Sequence, residues 1–156
     1  MEYTFRKKLK TLLILIKEPK VLSKLLSFRL SGFLMDVGWF TAFKAGEPVD
    51  KNFEPLPWLT YSFIDFITQR LSNKFNVFEF GSGNSTLFFA KKVKEITSVE
   101  HDIEWYNKHK SKISNNSKII LSLSDKSEDY IAGLKQSNKK YDIIIIDGNY
   151  RNKCCF

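Results

Sequence analysis

The sequence predicts an α/β protein built on a mostly parallel sheet, and three observations predict it. From residue 75 onward, short apolar segments alternate with segments of helical periodicity. Three of the apolar segments end at an acidic residue or a glycine turn: Glu79 with Gly81, then Glu100, then Asp147 with Gly148. The last segment, residues 142–146, is almost purely Ile. It lacks the polar alternation of a strand with one wet face, and it therefore predicts burial on both faces of a parallel sheet.

The elements follow in order. Leu9, Leu12, Leu13 and Ile16 fall at helical spacing, and Pro19 interrupts the pattern. Val21, Leu22, Leu25, Leu26 and Phe28 continue it, and Gly32 and Gly38 flank an apolar turn. Residues 1–57 thus predict a basic helical arm and linker, the linker marked by Gly46, Pro48, Pro55 and Pro57. Residues 58–156 predict the α/β domain. It opens with a helix over 58–71 carrying Leu59, Phe63, Ile64, Ile67 and Leu71 on one face. Trp58 and Tyr61 are expected as core aromatics of that helix. Strands are expected over 75–80, 95–99, 118–123 and 142–146, and helices over 86–92, 103–112 and 127–134, with Asp102 capping the second of these.

Composition narrows the function. The 156 residues carry 43% hydrophobic and 27% charged residues, a globular balance. The net charge of +8 is unevenly spread: eight Lys or Arg stand against Glu2 and Glu18 within residues 1–30, leaving +2 for the rest. Only 4 of the 25 basic residues are Arg and the domain is nearly neutral, so no nucleic-acid reading surface is expected. The basic arm suits either packing on its own domain or a twin subunit, the reading favoured here, or peripheral contact with an anionic membrane. The apolar run Leu12–Ile16 is too short for a signal core or a span, and the adjacent Cys154 and Cys155 read as reduced thiols of a cytoplasmic protein. His101 and His109 show no metal spacing and receive no catalytic role, and no metal site is expected.

The chemistry concentrates at Glu79-Phe80-Gly81-Ser82-Gly83, where the first strand meets its helix. Gly81 permits the tight turn, and Gly83 lets a ligand approach the backbone. Glu100 lies 19 positions after Gly81 at the next strand's end, where a carboxylate accepts hydrogen bonds from ribose hydroxyls. A dinucleotide fingerprint wants a third glycine where Thr86 stands, and no arginine follows closely to hold a phosphate. A ligand with a carboxylate and an adenosine but no phosphate fits better, and S-adenosylmethionine is such a molecule.

Residues 77–86, VFEFGSGNST, resemble the first motif of Rossmann-like (class I) S-adenosylmethionine-dependent methyltransferases; residues 97–102, TSVEHD, look like the second, and residues 141–148, YDIIIIDG, like the fourth. The resemblance covers about residues 75–150 and implies a sheet of order 3-2-1-4. It implies that Glu79, Gly81 and Gly83 line the methionine part of the cofactor, with Ser82 of the same turn beside them, and that Glu100 binds the ribose. Asp125 falls near where such enzymes hold the adenine, unless Ser124 or Asp125 begins a turn there. Asp147 is expected beside the transferred methyl group, where it orients substrate or accepts a proton. Arg151 is expected either to bind an acidic substrate or to pair with Asp147. The family pattern continues past a fourth strand, so the sheet is expected to be incomplete and its fourth strand a bare edge open to pairing with another copy. The reading is methyl transfer to a small-molecule or glycan-type substrate. The alternatives are an NAD- or nucleotide-sugar-binding enzyme and a non-catalytic membrane-associated protein.

Overall fold

A computed structural model of the chain describes residues 4–124 and 126–155, so the expectation for Asp125 lies outside the described residues. The chain divides into two compact units, Met1–Phe53 and Glu54–Phe156.

Among the described residues, the first unit holds four helices: α1 (Phe5–Lys17), α2 (Pro19–Ser27), α3 (Phe33–Asp36) and α4 (Trp39–Ala45). Pro19 ends one helix and starts the next, because its fixed φ suits the first helical position and its missing N–H is not needed there. The stretch between Gly32 and Gly38, expected as a turn, winds into the short α3, and α4 follows it. None of the four helices contains a buried residue.

The second unit alternates α5 (Tyr61–Thr68), β1 (Asn76–Phe80), α6 (Asn84–Ala90), β2 (Glu95–Glu100), α7 (Ile103–His109), β3 (Ser117–Leu121), α8 (Ser127–Gln136), β4 (Ile143–Ile146) and the short α9 (Arg151–Cys154). The four strands form one sheet of order β3-β2-β1-β4, and every pairing is parallel. The fold is therefore α/β and Rossmann-like, with the strand order expected from the sequence. Asp102 caps α7 as expected, its Oδ1 accepting from Glu104 N–H at 2.8 Å and Trp105 N–H at 2.9 Å. The helix over 58–71 is shorter than the periodicity suggests. Trp58 lies ahead of it and is 75% exposed, so it is no core aromatic; the helix starts only after the Thr60 cap.

Strand alternation sorts the core. Val77 and Ile96 point to the face covered by α5 and α6, where Phe88, Phe89 and Ile64 meet them. Phe78, Phe80 and Val99 point to the opposite face, under Tyr130 of α8. The expectation of two-sided burial for the Ile strand holds in part: Ile143 and Ile145 pack on the first core and Ile146 on the second, but Ile144 is 48% exposed. β4 is the edge strand, paired with β1 on one side, so the helices over the central strands cover it incompletely.

Phe78 is fully buried and packs edge-on against Phe80 and Tyr141 at centroid distances of 5.0 and 5.2 Å. Phe78→Ala should cost about 3–5 kcal/mol, whereas Ile144→Ala should stay within about 1 kcal/mol. Urea unfolding of the two variants measures this, and equal losses would contradict the core assignment.

Candidate functional site

The carboxyl ends of β2, β1 and β4 lie side by side in the sheet and end in Glu100, Glu79 with Gly81, and Asp147. The chain leaves β1 toward β2 on one side and returns as β4 on the other. That makes the β1–β4 boundary the topological switch point, where open parallel sheets form a crevice. Period-two alternation places Glu79, Ser98 and Glu100 on one face, with Glu79 in register with Ser98.

Two glycines let the loops meet there. Gly81 has φ of +101°, a conformation that strains any residue with a Cβ. A Cβ on Gly81 would also lie 3.1 Å from the Gly148 backbone. A Cβ on Gly148 would fall 2.1 Å from the Tyr130 hydroxyl and 2.7 Å from Gly81 N. Tyr130 is itself fully buried, and that burial pushes its hydroxyl well above the usual tyrosine range.

Glu79 is 1% exposed and has no cation among its hydrogen-bond partners. Three hydroxyls satisfy it instead. Thr86 Oγ1 donates to Oε2 at 2.5 Å, Ser98 Oγ donates to Oε2 at 2.8 Å, and Ser85 Oγ donates to Oε1. Thr86 Oγ1 also accepts from Gly83 N–H at 3.1 Å, which explains a threonine where a dinucleotide loop carries glycine. Burial raises the Glu79 pKa, the hydroxyls pull it back, and the negative charge of Asp147 adds to the rise.

Glu100 is 3% exposed, and its carboxylate ties the end of β2 to the turn after β1. Oε2 accepts from Ser82 N–H at 2.9 Å and Ser82 Oγ at 2.8 Å. Oε1 accepts from His101 N–H at 2.8 Å and Asp102 N–H at 3.0 Å, with His101 Nδ1 3.1 Å away. Trp105 of α7 crosses the same turn: its Nε1 donates to Ser82 O at 2.5 Å, and its indole lies 3.3 Å from where a Gly83 Cβ would stand. Asp147 is half-exposed and pairs with Arg151 at 3.0 Å, one helical turn on. Arg151 Nε also donates to Gly148 O at 3.2 Å.

The structure thus brings Glu79, Gly81, Ser82, Gly83, Glu100 and Asp147 to one end of the sheet, with Arg151 held by Asp147. Ser124, at the end of the loop after β3, accepts from Lys126 N–H at 3.1 Å and donates to Asp129 at 2.5 Å, a turn-forming role. Sequence reasoning missed the hydroxyl cage around Glu79, the Trp105 cover and Tyr130 beneath Gly148. Alternation alone could have found Ser98, two residues before Glu100 on the same face. Nothing in the spacing signals Trp105 or Tyr130. Among the described residues no group of three His, Cys, Asp or Glu is arranged to hold a metal ion.

The chain matches no model of a known protein family, and no curated protein matches it either.

The raised Glu79 pKa has a signed consequence. The folded state holds the proton more tightly than the unfolded state, so the Glu79 contribution is fully present below the unfolded value and is lost as pH rises through the folded one. Glu79→Gln keeps the shape without the charge. It should leave thermal stability unchanged at acidic pH and raise it at neutral pH. Melting curves across that range check this; a variant that gains nothing at neutral pH contradicts a desolvated Glu79.

Proposed function

We propose that this chain is an S-adenosylmethionine-dependent methyltransferase acting on a small hydroxylated or glycan-type substrate. The observation that carries the reading is the contact of Glu100 with Ser82, which joins the glycine turn after β1 to the acidic end of β2.

The electrostatics support a cationic ligand over a phosphate. Two buried carboxylates and the half-exposed Asp147 gather at these strand ends, and Arg151 is already paired with Asp147. A pyrophosphate would meet net negative charge there, whereas a molecule with an ammonium and a sulfonium would relieve it. The donors and acceptors also suit an adenosyl group. Three backbone N–H groups fix the Glu100 carboxylate, so its remaining contacts, from Ser82 Oγ and His101 Nδ1, are the ones a ribose diol can replace.

When bound, S-adenosylmethionine supplies an electrophilic methyl group on sulfur. The protein then has to bind, align and exclude water. Gly81 lets the turn lie against the backbone after β4, Gly83 makes room for the Trp105 indole that covers the turn, and the Glu79 carboxylate lies buried beneath it. In this reading Asp147, exposed enough to meet a substrate, orients an acceptor hydroxyl or takes its proton.

Calorimetric titration with S-adenosylmethionine, its demethylated product and NAD tests the reading. The first two should bind and NAD should not. Glu100→Gln should weaken binding by about 1–3 kcal/mol, roughly one to two decades in Kd, while Ser82→Ala, which removes only a replaceable donor, should change it far less. Binding of NAD alone would favour a dinucleotide enzyme, and equal affinity in wild type and Glu100→Gln would remove the ribose assignment.

A further inference from the structure

The first unit carries an apolar surface that its own fold does not use. On α1, Phe5, Leu9, Leu12, Leu13 and Ile16 follow the i, i+4, i+7, i+8, i+11 spacing of a single helix face, and all five side chains are exposed, Phe5 at 78%. On α2, Val21, Leu25, Leu26 and Phe28 at its end are exposed as well, while Lys20, Ser23, Lys24 and Ser27 fall on the opposite arc. The basic residues frame these faces. Around α1, Arg6 and Lys8 flank the apolar row on its two sides, and Lys7, Lys10 and Lys17 lie farther round.

Three considerations select the occupant. The charge is complementary to an anionic surface, a balance of +6 over residues 1–30. Six of the eight basic residues there are Lys, the residue type that protein–protein interfaces deplete and that snorkels to lipid headgroups. The 13-residue α1 is about 20 Å long, and no helix among the described residues is long and apolar enough to cross a membrane. Helices this short are marginal in water without a surface to bury their apolar face. We propose that α1 and α2 lie in the interface of an anionic phospholipid bilayer, with their apolar rows at the acyl-chain boundary and their Lys and Arg side chains among the phosphates. This assignment is independent of methyl transfer.

The test is flotation of the full chain with vesicles of phosphatidylcholine alone and of equimolar phosphatidylcholine and phosphatidylglycerol. The protein should float with the second and stay behind with the first, and high salt should release it. Leu9→Asp with Leu12→Asp should abolish binding. Arg6→Glu with Lys8→Glu and Lys17→Glu should reduce it more than about tenfold. All five positions are exposed, so cooperative thermal unfolding should persist in both variants. Sedimentation velocity supplies the opposing outcome. If the wild type dimerises, the Leu variant is monomeric, and neither floats, a second copy owns the face and the proposal fails. Equal flotation with both vesicle types would equally overturn it, since the headgroup charge would then play no part.

Discussion

The close approach of Gly81 to Gly148 is the constraint on which the site depends. Parallel strands set β1 and β4 about 5 Å apart, but whether the loops beyond them meet is decided by side-chain volume. Here neither loop carries a Cβ at the contact, so the turn after β1 lies against the backbone after β4 with Tyr130 beneath it. On the other side of the same turn, the Ser82 N–H donates to the Glu100 carboxylate. Filling the space at Gly148 would push on the Tyr130 hydroxyl and the Gly81 backbone together, with no flexible side chain to absorb the shift.

A second constraint follows from charge. Burying a carboxylate without a cation is costly unless hydrogen bonds replace its lost hydration. Glu79 meets that requirement with three hydroxyls from Ser85, Thr86 and Ser98, drawn from α6 and β2. The arrangement satisfies the oxygens without neutralising the charge, so it leaves the site with unspent negative potential. A protein optimised for stability alone would have an amide or an apolar residue there. A buried ionisable group held without a countercharge is a mark of functional sites. Glu100 differs: backbone N–H groups saturate much of its capacity, so it acts as a brace for the turn as much as an acceptor.

Much of the second unit was legible in the sequence because its signals are local. Gly81, Gly83 and Asp102 each state a backbone requirement that nearest neighbours decide, and the strand ends at Glu100 and Asp147 follow from where apolar runs stop. The strand order became legible through the resemblance of three motifs taken in sequence, and the sheet has that order. What escaped was set by tertiary context. Four consecutive Ile residues look alike in sequence, yet Ile144 is exposed and its neighbours are not, because coverage depends on how far the helices extend past β1. Trp58 has the composition of a core residue but sits before the helix begins. Trp105 reaches the glycine turn only through the pitch of α7 after its cap. The Asp147–Arg151 pair was readable as one of two options, and the structure contains that pair.

The two units obey different physics. Among the described residues, residues 54–156 hold nearly all the buried apolar side chains, Val49 being the exception. Residues 1–53 have the same appetite for apolar contact, with Leu, Ile and Phe at helical spacing, but their helices contain no buried residue. Hydrophobic periodicity in that arm therefore does not report an internal core. A helix face that is regular, apolar and exposed marks a surface with free energy still to gain from burial. The charge pattern then restricts what that is, because a partner must tolerate a rim of Lys as well as a row of Leu. An anionic bilayer meets both demands with one surface: its acyl boundary accepts the row, and its phosphates accept the rim.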